Sequence, residues 1–143
     1  MIGFVLGFLY GSFLEYVIHR FIFHRLGRKK KSLWSYHLKG HHVLAKKNNF
    51  IDLTESNIES IGMFFLIAIH TPIFFISFGA WAGITIYALA FKYLHHYQHS
   101  NPEFTKKYMK WHWNHHMKNP NKNFGVVVPW MDYIFGTRKK YDN

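Results

Sequence analysis

At 143 residues the chain is of single-domain size, and its lack of cysteine excludes disulfides, iron-sulfur clusters, thiolate-ligated haem and Cys-based zinc sites. Eighteen Lys and Arg against seven Asp and Glu give a net charge of +11, which points to nucleic acid or an anionic membrane surface as a partner. Where that charge sits along the chain decides between the two.

Residues 1–17, MIGFVLGFLYGSFLEYV, are apolar except for Ser12 and Glu15, and no Lys or Arg precedes Arg20. A secretory signal would begin with a basic stretch and end at small residues, whereas this one runs on into Tyr-Val-Ile-His-Arg-Phe-Ile-Phe-His. It reads as a retained membrane span. At a rise of about 1.5 Å per residue it crosses a hydrocarbon core of about 30 Å and brings His19 and His24 out at the far edge.

Residues 20–47 are strongly basic. Gly27 and the run Arg28-Lys29-Lys30-Lys31 mark a break before a second helix with Tyr36-His37-Leu38-Lys39-Gly40-His41-His42. On a helix His37 and His41 share a face and His42 points about 100° away, an arrangement that could serve two metal ions. Ser56-Asn57-Ile58-Glu59 is a capping box opening a long apolar stretch. Residues 58–78 and 80–94 are almost wholly apolar around Ser77-Phe78-Gly79, as in a membrane hairpin. Its first arm holds Pro72 and His70; His70 lies about 20 Å from the capped end and reads as a structural, hydrogen-bonded histidine.

The second arm returns to His95-His96-Tyr97-Gln98-His99, where His95 and His99 share a face and His96 lies off it. Asn101-Pro102 supplies an N-cap and first-turn proline for a helix carrying Trp111-His112-Trp113-Asn114-His115-His116, and Asn119-Pro120 ends it. His112, His115 and His116 fall within one narrow arc, so three imidazoles point the same way. All the basic residues lie at 20–47 or 92–140, with none in the first 19 residues or at the hairpin tip. By the positive-inside rule the basic ends and the histidine clusters of three spans face the cytoplasm, of a bacterial inner membrane or an endoplasmic reticulum. A nucleic-acid binder would not need two charge-free apolar stretches, so that class is set aside.

Four clusters thus gather at one membrane edge: H-x-x-x-x-H (His19, His24), H-x-x-x-H-H (His37, His41, His42), H-x-x-x-H (His95, His99) and H-x-x-H-H (His112, His115, His116). Ten imidazoles exceed the roughly six ligands one metal takes, and suit two. No E-x-x-H pair is present, which excludes the carboxylate-bridged ferritin-like site.

In these boxes, and in a tail with Asn123 and Gly125 followed by Asp132, Phe135, Gly136 and Thr137, the sequence resembles the fatty acid hydroxylase and sterol desaturase superfamily of integral-membrane enzymes. The box spacing is most similar to that of the fatty acid 2-hydroxylases. The resemblance covers nearly the whole chain and implies one hydroxylase-like domain over 1–143: an all-α, integral-membrane protein of about three spans, with a histidine-rich dimetal site on cytoplasmic-side helices. It implies that the ten named histidines hold two iron ions, replaceable by zinc in purified material. It further implies dioxygen activation with electrons from an external donor such as a cytochrome or ferredoxin, and a lipid substrate, first an acyl chain of a fatty acid or sphingolipid. Trp130 sits one position earlier than the family's usual tryptophan, with Met131 between it and Asp132. The expectation from length is a chain without the additional N-terminal span or cytochrome-type domain of some relatives.

Asp132 and Asn123 are candidates to orient ligand imidazoles, or equally to fold the tail; Trp111, Trp113 and Trp130 read as interfacial residues. Two other readings stand beside the acyl hydroxylase: a sterol or carotenoid hydroxylase or desaturase of the same superfamily, and a non-enzymatic membrane metal-binding protein.

Overall fold

The computed structural model describes residues 1–54 and 56–141, and among them all regular structure is helical. Helix α1 (Ile2–Val17) runs unbroken into a π-helical stretch over Ile18–Leu26, and a second π-helical turn, His37–His41, leads into α2 (His42–Lys47). The predicted hairpin is formed by α3 (Asn57–His70), α4 (Pro72–Ile76) and α5 (Phe78–Ser100). Pro72 divides its first arm, and the Ser77 hydroxyl caps α5 by accepting from the Ala80 amide. The Ser56 half of the capping box forms, its hydroxyl accepting from Glu59 N–H, but the Glu59 carboxyl turns away toward His37.

Where one helix is expected after Asn101-Pro102 there are two, α6 (Pro102–Tyr108) and α7 (Lys110–Met117), parted at Met109. Asn101 does not cap; its amide donates to the Tyr97 carbonyl instead. The tail closes with α8 (Trp130–Ile134) folded back on α1, where Phe135 stacks on Tyr16.

Two stretches, Ile2–Leu26 and Asn57–Ile76, are long and apolar enough to cross a membrane. The third expected span, α5, has the length but not the uniform hydropathy, because its last turns carry His95, His96, Gln98 and His99. None of α3 is buried, and Phe64, Phe65, Ile69, Phe75 and Ile76 of this arm present bare apolar surface. In water such a surface would drive aggregation; in lipid it is the solvated face. The chain is a helical membrane protein.

α1 and α5 form the most extensive helix pair. Their backbones touch through glycine: a methyl group on Gly7 would sit 2.1 Å from the Ala80 carbonyl oxygen, and one on Gly83 2.3 Å from that of Phe4. This crossing fixes the N-terminal span against the helix that bears His95 and His99. Gly83→Val therefore forces the pair apart and destabilises the protein by about 1–3 kcal/mol, read as a lower midpoint of thermal unfolding in detergent; an unchanged midpoint would show that the crossing is not tight.

Candidate metal centre

The spacing of the first box fits an α-helix poorly, since residues five apart point about 140° from each other at 100° per residue. The chain resolves this by widening its helix. Through Ile18–Leu26 the bonding is i to i+5, closed by Gly27 N–H on the Ile22 carbonyl, and His19 and His24 come onto one face with their rings 4.9 Å apart. The same device operates at His37–His41, where His42 N–H bonds the His37 carbonyl. There it reverses the pairing expected from a regular helix: His37 goes with His42, and His41 is sent elsewhere.

Two sets of imidazoles result. His19, His24, His37, His42 and His115 form one, and His41, His95, His99 and His116 the other; in each, the ring nitrogens lie within 4.8 Å of one another. Nine of the ten histidines singled out in the sequence are thus gathered. The tenth, His112, packs against His95, His99 and His116 at centroid distances of 5.1, 5.0 and 4.7 Å, on the rim of the second set. Although His115 and His116 leave α7 on one side, they part to different sets. His96 is exposed, and His70 is bonded to the Leu66 carbonyl and the Tyr10 hydroxyl, the structural role expected of it.

Five rings have their proton placed by an acceptor that cannot donate. His19 Nδ1–H donates to the Phe124 carbonyl, His99 to Phe50, His115 to Lys122, His41 to the Asp52 carboxylate and His112 to the Gln98 amide oxygen. Gln98 is itself oriented, because its amide nitrogen donates to the Val126 carbonyl. In all five the lone pair is left on Nε2. Those lone pairs face inward, His19 Nε2 lying 3.0 Å from His37 Nε2 and His41 Nε2 3.1 Å from His95 Nε2, and each such pair needs a proton or a cation between its members.

Among the described residues, seven buried imidazole nitrogens lack a hydrogen-bond partner: His24 Nδ1, His37 Nδ1, His42 Nε2, His99 Nε2, His112 Nε2 and both of His116. At about 1–3 kcal/mol for each unsatisfied polar atom this burial is expensive without a ligand, so the residues fit metal ions. Neither set includes a carboxylate.

Electrostatics agree. Burial first, and then neighbouring imidazoles, hold His37, His42, His112, His115 and His116 well below the ordinary histidine value, in the neutral form a metal requires. Burial alone would raise Asp52, but hydrogen bonds from His41 and Thr54 outweigh it and hold the carboxyl at about 2, an anion behind the His41 ring.

Neither Asp132 nor Asn123 hydrogen-bonds an imidazole. Asp132 accepts from the Phe124 and Gly125 amides and the Thr137 hydroxyl, so it holds the loop whose Phe124 carbonyl orients His19. Asn123, at φ +60°, ties the tail through Arg138 and Lys139. Trp111 is half-buried and donates to the Val126 carbonyl. Asp52, Gln98 and Glu15 were not singled out by sequence. Glu15 carried the plainest signal, an acid within a span; it is buried and accepts from the Tyr87 hydroxyl and the Val126 amide, joining α1 and α5 to the tail.

Fold and site together define a class, helical membrane proteins built around a histidine-rich centre able to bind metal. The chain belongs to the fatty acid hydroxylase family, whose model matches residues 4–137. It is 33% identical to a dihydroceramide fatty acyl 2-hydroxylase of Arabidopsis thaliana over 93% of this chain and 59% of the relative. A second Arabidopsis protein of that description is 30% identical over 92% and 58%, and a fatty acid 2-hydroxylase of Mus musculus 29% identical over 94% and 38%. The chain therefore spans less than two thirds of the length of these relatives. No solved structure matches it.

Two predictions follow from the proton placement. Gln98→Leu leaves the His112 Nδ1 proton without its acceptor and lowers metal affinity by about 10–100-fold, whereas Gln98→Glu, which keeps an acceptor, retains most of it; equal metal retention after dialysis against chelator in both would remove Gln98 from this role. Because the five depressed histidines stay neutral in the folded metal-free protein but take up protons near 6.5 when unfolded, the unfolded state binds more protons at low pH. Stability of the metal-free protein is therefore intact above about pH 7 and lost as pH falls below about 6. Denaturant midpoints in detergent that do not fall with pH would contradict it.

Proposed function

We propose that residues 1–143 act as one di-iron hydroxylase domain that inserts one oxygen of dioxygen into the acyl chain of a fatty acid or sphingolipid, near its head. The observation that carries this reading is the cavity beside the two imidazole sets. It encloses about 400 Å³ between α1, α3 and α5, and His19, His41, His95 and His99 stand in its wall. Its lining combines apolar side chains, Leu14, Ile18, Leu66, Ile69, Ile84 and Phe91, with polar ones, Tyr36, Thr54, Ser56, Glu59, Ser60 and Lys92. Such a mixed lining suits an amphiphile, its tail among the apolar side chains and its head on the polar ones, and in this reading the first carbons of the chain lie beside the imidazoles. The names of the relatives, acyl 2-hydroxylases, point the same way.

In this reading His19, His24, His37, His42 and His115 hold one ion, and His41, His95, His99, His112 and His116 the other. Two bound iron ions supply dioxygen reduction and removal of hydrogen from an unactivated C–H bond, a chemistry no side chain offers. The protein's share is positional. Phe124, Phe50 and Lys122 carbonyls, Asp52 and Gln98 take the Nδ1 protons and so fix which nitrogen faces inward. The apolar cavity wall keeps water from the reacting carbon. The basic ends face the cytoplasm, where a cytochrome or ferredoxin supplies electrons. In sum, R–H, dioxygen, two electrons and two protons give R–OH and water.

The test is expression under labelled dioxygen followed by lipid mass spectrometry. One labelled hydroxyl per product, close to the acyl head, is expected. His42→Ala and His116→Ala each abolish labelling and lower metal content, whereas His70→Ala and His96→Ala keep most of both. If no lipid gains label while the protein is membrane-inserted, iron-loaded and supplied with reductant, the hydroxylase reading fails, and full labelling in His116→Ala would remove the last box from the site.

A further inference from the structure

We propose that Trp113 and the lysines around it form the docking and electron-entry point for an acidic one-electron carrier protein. This rests on the hydroxylase reading, since a reaction that consumes electrons needs a place to receive them. Two independent observations converge on the outer side of α7.

The first is a ladder of rings leading inward. The half-buried Trp113 ring lies 4.8 Å from that of Phe50, centroid to centroid, at 33°. Phe50 is fully buried and stacks on His99 at 4.3 Å and 16°, and it meets His116 and His112 at steep angles, 85° and 76°, with centroids 5.3 and 5.4 Å away. Its backbone carbonyl also accepts the His99 Nδ1 proton at 2.7 Å, so ring and main chain both end on the same ligand candidate. Phe50 achieves this only at φ +80°, a conformation that bulky L-residues avoid, held by its N–H on the Ala45 carbonyl. Strain of this kind persists where the surroundings enforce it, and here it aligns two contacts on His99 at once. Trp113 thus joins the second imidazole set to the surface through one intervening side chain.

The second is the surface at the outer end of that ladder. Lys106, Trp113, Met117 and Lys118 line a shallow pocket, and the Lys106 ammonium stands 5.7 Å over the Trp113 ring. Lys107 and Lys110 are exposed beside it, with Glu103 as the one acidic residue of α6. A tryptophan and a methionine ringed by lysines have the composition of an interface centre with a steering rim, and the sign of the rim selects an acidic partner. An anionic lipid head would satisfy the lysines equally well but would have no use for an aromatic path behind them. Two successive dockings supply the two electrons of one hydroxylation, each carrier leaving oxidised by one electron.

The test uses the iron-loaded chain in detergent, an acidic plant-type ferredoxin as protein donor and dithionite as small donor. Calorimetry reads ferredoxin binding and anaerobic stopped-flow absorbance reads reduction. Lys106→Glu with Lys118→Glu is expected to weaken ferredoxin binding about tenfold or more, to flatten the salt dependence of reduction, and to leave reduction by dithionite unchanged. Trp113→Leu is expected to lower the rate at saturating ferredoxin about fivefold or more while changing binding far less, and Trp113→Phe, which keeps a ring against Phe50, recovers most of that rate. Unchanged ferredoxin binding and reduction in the charge-reversed chain overturn the proposal. So does a loss confined to binding of phosphatidylserine vesicles, which would give the patch to lipid, or an unchanged saturating rate in Trp113→Leu. Lipid hydroxylation driven by dithionite alone is scored separately: its absence in the unsubstituted chain would sink the hydroxylase reading, whereas binding and reduction decide the docking point.

Discussion

A neutral imidazole has two nitrogens and one proton, and the rest of this structure depends on where that proton is sent. Sending it outward to a fixed acceptor leaves a lone pair pointing in, and five rings do so in the same sense. Three of the acceptors are backbone carbonyls of irregular segments, those of Phe50, Lys122 and Phe124. The loops at 48–54 and 121–128 are therefore parts of the site although neither contains a histidine. Asp132 and Asn123 act one step further out, by shaping the loop that presents the Phe124 carbonyl.

The second constraint is angular. Membrane spans favour unbroken helices because backbone groups find no water in lipid, yet a regular helix would send His19 and His24 to different sides. A π-helical stretch continues the hydrogen-bonded helix while changing the angle between residues five apart. Placed at the end of the first span, it lets a continuous helix deliver two rings to one point. The close α1–α5 crossing at Gly7 and Gly83 then sets those rings opposite the ones on α5.

Much of this was legible in the sequence. Four histidine boxes, an apolar hairpin opened by Ser56 and turning at Ser77, and one-sided basic charge required little more than counting, because periodicity and hydropathy are local properties. The sharing of rings between the two sets was not legible: it follows from π-helical turns, whose only trace is the awkward five-residue spacing of the first box. The loop carbonyls were hidden for a different reason, since a backbone acceptor leaves no residue type to recognise. Asp52 sits in an Asp-Leu-Thr turn and Gln98 lies between two histidines, and neither becomes conspicuous until folding brings it behind a ring. The third span was read from the apolar run 80–94, and α5 falls short of it because the same helix goes on into polar last turns that carry His95 and His99 to the site.

Relatives named as acyl hydroxylases, a cavity lined by both apolar and polar side chains, and two sets of inward lone pairs meet in one account: two metal ions held by imidazole alone at the wall of that cavity. X-ray absorption at the iron edge, with metal counting on the same iron-loaded sample, tests that centre most directly. The account predicts about two iron ions per chain, each in a shell of nitrogen and oxygen with strong imidazole scattering. One ion per chain, or a shell dominated by carboxylate oxygen, would contradict it.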